Sequence, residues 1–185
     1  IIIKQTNTTI NWVVGHDGIG WTKYLYLDST NAQGTGNFFN DTAPTNSVFS
    51  VVNDGGVNSS GGTYIAYCFA EKTGFSKFGS YTGNGNADGT FVYTGFKPAF
   101  ILQKRIDNVG SWNILDNKRE GYNVDNNRLF PDTDGTENTL DIVDILSNGF
   151  KWRNTGSNYN NSGETNIYMA FAEEPLVGDN PATAR

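Results

Sequence analysis

Cysteine, histidine and methionine are nearly absent from this chain, which has one residue of each among 185. A single cysteine excludes a disulfide framework and a cysteine-based zinc site within the chain. Cys68 lies in an apolar stretch, where we expect it to be a small buried side chain. No apolar run approaches the roughly 20 residues that a membrane-spanning helix needs, so we predict no membrane insertion.

Charged residues are also scarce, at 17% of the chain, and acidic residues outnumber basic ones by 19 to 13. The net charge of −6 argues against nucleic acid as a partner, because its phosphates require a basic surface. Asn, Thr, Ser and 22 glycines supply the missing polarity, and these residues favour turns and strand edges over helix interiors. With 12 Phe and 9 Tyr to fill a core, the composition predicts an all-β protein.

Two parts of the chain repeat at a spacing of about 100 residues. The segments 1–4 and 11–14 reappear as 101–104 and 111–114, and the segment 63–71 reappears as 165–173. A repeat is a structural unit rather than a chemical one, so it favours a scaffold or binding surface over an enzyme. We therefore predict no enzymatic activity. We predict one module over 1–185, made of an internal duplication (repeats 1–75 and 99–175) joined by a Gly/Asn-rich hairpin segment, 76–98.

Each repeat opens with a predicted β-hairpin, and each closes with a strand that is apolar on both faces. In the first repeat this strand is 63–70, where Ile65, Tyr67 and Phe69 alternate with other apolar side chains. A strand of this kind is central in its sheet, with both faces covered by another sheet or by a neighbouring subunit. We expect the same of its repeat, 165–172.

Other short segments complete the predicted architecture. Strands are predicted at 23–27, 48–52, 78–82, 90–94 and 150–153, and one weak helix window spans 138–146. Short strands separated by Gly- and Asn-rich loops are typical of sandwiches. We predict an antiparallel β-sandwich of the jelly-roll or concanavalin-like kind.

The residues of this sequence do not suggest a complete catalytic site. His16 is the lone histidine, and neither a serine elbow nor a second histidine accompanies it, as a catalytic base would need. A loop histidine is the better interpretation. Glu71 and Glu173 could form the carboxylate pair of a glycosidase, but they occupy matching places in the repeat, where strand termination explains both.

The loop 84–89 imitates the first half of a calcium-binding loop, with oxygen ligands at alternate positions and a glycine at the sixth. The twelfth position is Gly95 rather than Glu, and the sequence continues as a strand rather than a helix. The missing helix also argues against a phosphate cradle. We interpret the loop as a tight turn and predict no metal and no cofactor.

Carbohydrate is the ligand that the remaining polar and aromatic residues suit best. Aromatic rings cover the apolar face of a sugar, while amides and carboxylates bind its hydroxyls. The candidate glycan-binding residues are Trp21, Tyr24, Asn84, Asn86 and Asp88. Trp12 of the first repeat corresponds to Trp112 of the second. Because both repeats keep a tryptophan at this position, both side chains are predicted to lie in the core.

Five long strings carry a family resemblance. They are 64–71, 75–85, 88–100, 168–173 and 180–185. Together they resemble an uncharacterised module of tailed bacteriophages, abundant in marine phages, which closes longer virion proteins labelled as tail fibre or virion structural proteins. The resemblance covers nearly the whole chain and implies no defined functional residues.

The resemblance implies a virion structural protein at the surface of the extracellular particle. We expect a tail-fibre or appendage module that attaches to a host-surface glycan or protein and contacts other virion proteins. We also expect it to be part of a longer polypeptide and, because fibre modules assemble as closed rings, to form a homotrimer. The alternative is a purely architectural role as a capsid decoration or head-fibre protein.

Overall fold

The computed structural model describes residues 1–119, 123 and 127–174. Within these residues the chain forms three antiparallel sheets and a single turn of 3₁₀ helix at Asp17–Ile19. Sheet 1 consists of β1 (Ile2–Gln5), β2 (Val13–Val14), β3 (Lys23–Tyr26), β4 (Gly34–Thr35) and β5 (Tyr64–Tyr67). Its strands lie in the order β4-β3-β2-β1-β5.

Sheets 2 and 3 are formed by the rest of the chain. The strands in chain order are β6 (Ser76–Thr82), β7 (Phe91–Tyr93), β8 (Pro98–Arg105), β9 (Asn113–Asp116), β10 (Asn127–Leu129), β11 (Asn138–Thr139), β12 (Val143–Leu146), β13 (Gly149–Trp152) and β14 (Thr165–Ala172). Sheet 2 has the order β11-β10-β9-β8-β14-β6, and sheet 3 has the order β12-β13-β7. The all-β antiparallel sandwich predicted from composition is confirmed.

Sheet 2 is the middle layer, because alternate residues of its strands enter different cores. On one face, Ile101 and Ala170 pack with Phe150 and Trp152 of sheet 3. On the other face, residues such as Met169 pack against sheet 1 in a second core. The members of that second core are Ile2, Val14, Ile19, Leu25, Leu102, Ile106, Trp112, Ile167 and Met169. The two-residue alternation of a strand thus supplies both layers of contact.

Sheet 1 and the first five strands of sheet 2 share one strand order and one register. Ile2 pairs with Val14 and Tyr67, and Leu102, 100 positions on, pairs with Ile114 and Met169. The β3–β4 pairs recur in β10–β11 at an offset of 104 positions.

Side-chain contacts follow the same correspondence. The ammonium groups of Lys4 and Lys104 each donate to a carbonyl six residues on. Asp28 and Asp132 each accept a hydrogen bond of 3.1 Å from the backbone N–H of a tryptophan. This is the arrangement that a duplication would produce, and the duplication itself stays a prediction.

Several predictions about local structure are wrong. The helix window 138–146 contains β11 and β12, and residues 48–52 form no strand. The segment 76–98 is not a hairpin, because β6 pairs with β14 whereas β7 pairs with β13. Its two strands therefore belong to different sheets and connect them.

The two matching apolar strands have different surroundings. β14 is central, paired with both β8 and β6, and covered on both faces, as predicted. Within the described part of the chain β5 is an edge strand that pairs with β1 alone, and most of its residues are exposed. The prediction of a central first-repeat strand is therefore wrong, and so is that of a buried Cys68, which is exposed.

The repeated tryptophans also differ. Trp112 is buried, and its indole N–H donates to the Tyr26 carbonyl at 2.8 Å. Trp12 is only half-buried and stacks on Tyr67, with ring centroids 6.3 Å apart. The core prediction is thus confirmed for Trp112 and holds only in part for Trp12. The resembling string 180–185 lies outside the described residues.

Candidate functional site

A cleft of 570 Å³ opens where sheet 1 meets sheet 2. Its walls are the turn after β2, the loop 43–49 and the chain segment 68–71 that continues β5. Phe78 and Met169 of sheet 2 also line the cleft. We call this feature the aromatic cleft. Its volume lies in the range of small-molecule sites in proteins.

Trp21 is held in the wall of the aromatic cleft by packing that depends on a glycine. Its ring meets Phe39 edge to face, with centroids 5.3 Å apart and planes at 83°. A Cβ on Gly15 would come within 2.5 Å of the Phe39 ring and 2.8 Å of the Trp21 ring. Gly15 therefore provides the space in which the two aromatic side chains meet. Phe39 is buried, so the indole is fixed from behind.

His16 joins the wall of the cleft to the central strand of sheet 2. Its Nδ1 accepts the Gly18 N–H at 2.9 Å, which caps the 3₁₀ turn. Nε2 lies 3.1 Å from the Tyr168 carbonyl oxygen, so the neutral ring donates there. Burial lowers the pKa of His16 from 6.5 to about 4, despite the hydrogen bond to Tyr168. The imidazole is therefore neutral at physiological pH, a structural clamp rather than a free base.

The loop 43–49 forms the outer wall and is organised around one threonine. The Thr45 hydroxyl accepts the N–H groups of Ser47 at 3.3 Å and Val48 at 3.1 Å. The Thr45 N–H donates to the Val48 carbonyl at 2.8 Å. These bonds form a compact turn that presents Asn46 and Val48 to solvent, with Val48 63% exposed. The turn is thus shaped before any ligand arrives.

Carboxylates are the charged side chains of the described lining of the aromatic cleft. Among the residues that the structure describes, its carboxylates are Asp17 and Glu71, and no lysine or arginine lines it. Glu71 forms an ion pair of 2.7 Å with Lys77 at the rim. The remaining polar side chains of the lining are the neutral His16 imidazole, the Trp21 indole, two hydroxyls, an amide and the Cys68 thiol. Together with the rings of Trp21, Phe49 and Phe69, these groups suit an uncharged polar ligand with an apolar face.

Of the predicted glycan-binding residues, Trp21 alone lines the cleft. Tyr24 lies on β3 within an aromatic cluster, 5.0 Å from the Tyr26 ring and 4.7 Å from the Phe38 ring. It packs closely over Gly34, where a Cβ would come within 2.5 Å of its ring. Tyr24 is thus half-buried against its own sheet and does not line the aromatic cleft.

The other predicted residues lie in the loop 84–88, which is built against sheet 3. The Oδ1 of Asn84 accepts the Asn86 N–H at 3.0 Å, and the Oδ1 of Asn86 accepts the Asp88 N–H at 2.9 Å. Asp88 forms an ion pair of 2.6 Å with Lys151, and this hydrogen bond lowers the pKa of Asp88. Buried Asn160 anchors the loop by donating to the Asn86 carbonyl at 2.8 Å.

This loop is therefore a series of turns in which the side-chain oxygens of Asn84 and Asn86 each accept a backbone N–H and Asp88 is paired with Lys151. Among the described residues, no group of three His, Cys, Asp or Glu side chains could hold a metal ion. The structure does not bring Asn84, Asn86 and Asp88 together with Trp21, which lies in the wall of the aromatic cleft.

The two repeated glutamates are each engaged by lysines. Glu173 accepts from Lys97 at 2.7 Å and from Lys118 at 3.2 Å, and the Lys97 hydrogen bond lowers its pKa. Glu71 is bound to Lys77 at the rim of the cleft. A glycosidase acid needs a raised pKa, and the lowered pKa of Glu173 is the opposite of that requirement.

Sequence reasoning missed most of the cleft. The loop 43–49 overlaps the predicted strand 48–52, which includes Phe49 and does not form. His16 stood out by its rarity, but nothing in its neighbourhood indicated a bond to a strand 152 residues away. The sequence feature that could have indicated this wall of the cleft is Gly15, since a glycine beside an aromatic segment can mark a place where another group packs closely against the backbone.

The fold and this site define an all-β antiparallel sandwich with an aromatic cleft between two of its layers. Among the described residues, no helix is long and apolar enough to cross a membrane. The chain belongs to the family described as a domain of unknown function (DUF7483), whose model matches residues 1–175. No curated protein and no solved structure matches the chain.

Proposed function

We propose that this chain is a non-enzymatic attachment module of a bacteriophage particle, carried by a tail fibre or similar appendage, that binds a host-surface glycan. The resemblance of its long strings to phage virion proteins supports the setting. The observation that carries the binding role is the aromatic cleft, with Trp21 fixed in its wall and polar groups around it. The predicted homotrimer belongs to the same proposal.

The cleft suits a sugar better than the loop 84–88 does. A pyranose presents one apolar face and several hydroxyls, so it needs an aromatic or aliphatic surface beside hydrogen-bonding groups. The cleft offers Trp21 and Phe69 beside the loop that contains Asn46 and Ser47. The loop 84–88 offers amides without an aromatic wall. Binding requires no catalytic pair, which agrees with the lysine contacts of Glu71 and Glu173.

A glycan array followed by calorimetry tests this proposal. We expect binding to uncharged glycans and a loss on the order of threefold to tenfold in Trp21→Phe, which keeps a ring against Phe39 but presents less surface. Asn46→Ala should also weaken binding. Asn86→Ala, in the loop 84–88, is the matched control and should bind like the parent.

Two results would contradict the proposal. If the parent binds no glycan on the array, the proposed glycan-binding role is contradicted. Binding that survives both cleft variants but is lost in Asn86→Ala would move the site to the loop 84–88. Thermal unfolding of each variant separates lost binding from lost structure.

One observation favours the architectural alternative, a capsid decoration or head-fibre protein. Phe91 and Tyr93 share a face of β7 and are 43% and 63% exposed. Decoration predicts that an exposed apolar patch faces the shell. This alternative would be favoured if the parent bound purified capsids tightly and Tyr93→Asp did not. The parent should then also show no binding on the glycan array.

A further inference from the structure

Five phenylalanines form a cluster that begins in the aromatic cleft and extends beyond it. Phe69 and Phe78 line the cleft, whereas Phe75, Phe100 and Phe171 lie outside its lining. The Phe171 ring is at the centre, with its centroid 5.7 Å from that of Phe78 and 5.8 Å from that of Phe69. The centroids of Phe100 and Phe75 lie 6.1 Å and 6.2 Å from it. We call these five side chains the phenylalanine cluster, which makes the aromatic surface of the cleft continuous with the surface around Phe75.

Much of the phenylalanine cluster is open to solvent. Phe75 is 39% exposed and Phe69 is 43% exposed, while Phe100 and Phe171 are half-buried. Phe69 and Phe75 meet the Phe171 ring edge to face, with planes at 66° and 80°, and this packing holds the rings in place. Exposed apolar side chains that adjoin a cleft are typical of a ligand-binding groove, because a core would bury them.

Backbone hydrogen bonds fix the position of Phe75. Its N–H donates to the Lys72 carbonyl at 2.9 Å, and its carbonyl accepts the Ala172 N–H at 2.8 Å. The next residue, Ser76, is buried, and its hydroxyl donates to the Ala70 carbonyl at 2.8 Å. These bonds tie the turn between β5 and β6 to the end of β14. The Phe75 ring is therefore presented without reordering of the chain, which lowers the entropic cost of binding.

Ion pairs adjoin the phenylalanine cluster. Glu71, which lines the cleft, is paired with Lys77 at 2.7 Å. Glu173, two residues after Phe171, is paired with Lys118 at 3.2 Å. Paired charges hold hydrogen-bond donors and acceptors ready for hydroxyl groups, while the rings beside them suit the apolar face of a sugar. The surroundings of the cluster thus have the same chemistry as the cleft.

We propose that Phe75, Phe100 and Phe171 form a second sugar-binding subsite, so that the glycan binds as a chain along the surface rather than by one terminal residue. This inference rests on the proposed glycan-binding role of the cleft. One sugar residue packs in the cleft, and the next residues of the same chain lie over the phenylalanine cluster. Phe69 and Phe78 belong to both surfaces, which favours one continuous ligand over two separate ligands. Linked contacts of this kind raise affinity without a stronger contact at either subsite.

Calorimetry with oligosaccharides of increasing length tests this inference. The probes are the uncharged glycan that the array selects and its fragments, down to a single sugar residue. The affinity of the parent should rise on the order of threefold to tenfold beyond the shortest fragment that binds. Phe75→Ala should remove most of this rise, because it deletes an exposed ring that does not line the cleft. Trp21→Phe should instead weaken the binding of short and long fragments alike.

Three further variants separate the role of the ring from a general effect on structure. Phe91→Ala is the matched control, since Phe91 is 43% exposed and lies on β7, outside the phenylalanine cluster. It should show the same rise of affinity with length as the parent. Phe75→Tyr keeps an aromatic ring and should keep the rise, whereas Phe75→Leu is apolar without a ring and should lose it.

The inference is overturned if fragments of every length bind the parent equally, or if Phe75→Ala keeps the full rise. In both cases the glycan-binding role of the cleft still stands, because the shortest fragment binds. If no probe binds, that role is itself contradicted, and the second subsite with it. Sedimentation equilibrium addresses a competing occupant of the cluster. If the parent is a trimer that Phe75→Ala dissociates, the cluster is a contact between subunits, and the inference is overturned.

Discussion

Acid should destabilise this protein through His16 in a way that a single substitution removes. The unfolded imidazole has a pKa near 6.5, whereas burial lowers the pKa in the folded state to about 4. Between these values the unfolded state binds a proton that the folded state excludes, so the free energy of unfolding decreases as pH falls. The effect is absent above about pH 7 and complete below about pH 4.

The size of the effect follows from the two pKa values. At about 1.4 kcal/mol for each pH unit, the full interval corresponds to about 3 kcal/mol. Between pH 7.5 and pH 5 most of it develops, giving a loss of about 2 kcal/mol. A loss of this size is a large fraction of the stability of an ordinary domain.

Urea unfolding at pH 7.5 and pH 5 measures this loss in the parent and in His16→Asn. Asparagine does not titrate, and its side-chain oxygen can still cap the 3₁₀ turn by accepting the Gly18 N–H. Titration of the carboxylates acts on both proteins alike and cancels in the comparison. The parent should lose about 2 kcal/mol more than the variant. Equal losses in the two proteins would refute the assignment of His16 as a neutral buried clamp.

Two further substitutions test the packing around the candidate sites. Gly15→Ala should destabilise the fold by roughly 1–3 kcal/mol and change the fluorescence of Trp21, because its Cβ would overlap the Phe39 and Trp21 rings. Gly55→Ala, whose Cβ would lie 3.6 Å from its nearest neighbour, is the control for urea unfolding. Asn160→Ala should cost about 2–4 kcal/mol, since its buried side chain makes three hydrogen bonds. Asn86→Ala, which is exposed, should cost less than about 1 kcal/mol, and equal losses would contradict the role of Asn160 as the anchor.

Much of the fold was predictable from local sequence patterns, because alternating apolar residues and flanking turn residues directly indicate strands. Such patterns predict strands around β1, β2, β3, β5, β6, β7, β8, β9, β13 and β14. The failures have a common cause. The window 138–146 has weak helical character that pairing of β12 with β13 overrides, and strand preferences depend on such neighbours more than on the residues themselves.

The candidate site was less predictable than the fold. Trp21 could be singled out as an aromatic residue near glycines, but Asn84, Asn86 and Asp88 were grouped with it on composition alone. The structure places these three residues in a self-bonded loop held by Asn160. A cleft formed by segments far apart in the chain leaves no common local signal, since its geometry depends on how the sheets meet.

Composition and apolar alternation are enough to predict an all-β chain and to find the segments that form its strands. They also show that 63–70 and 165–172 have the same pattern. The different surroundings of β14, which is enclosed between two layers, and β5, which forms an edge, arise from the packing of the sheets. β6 pairs with β14 rather than with β5, and burial depends on the neighbour that a strand acquires as well as on its residues.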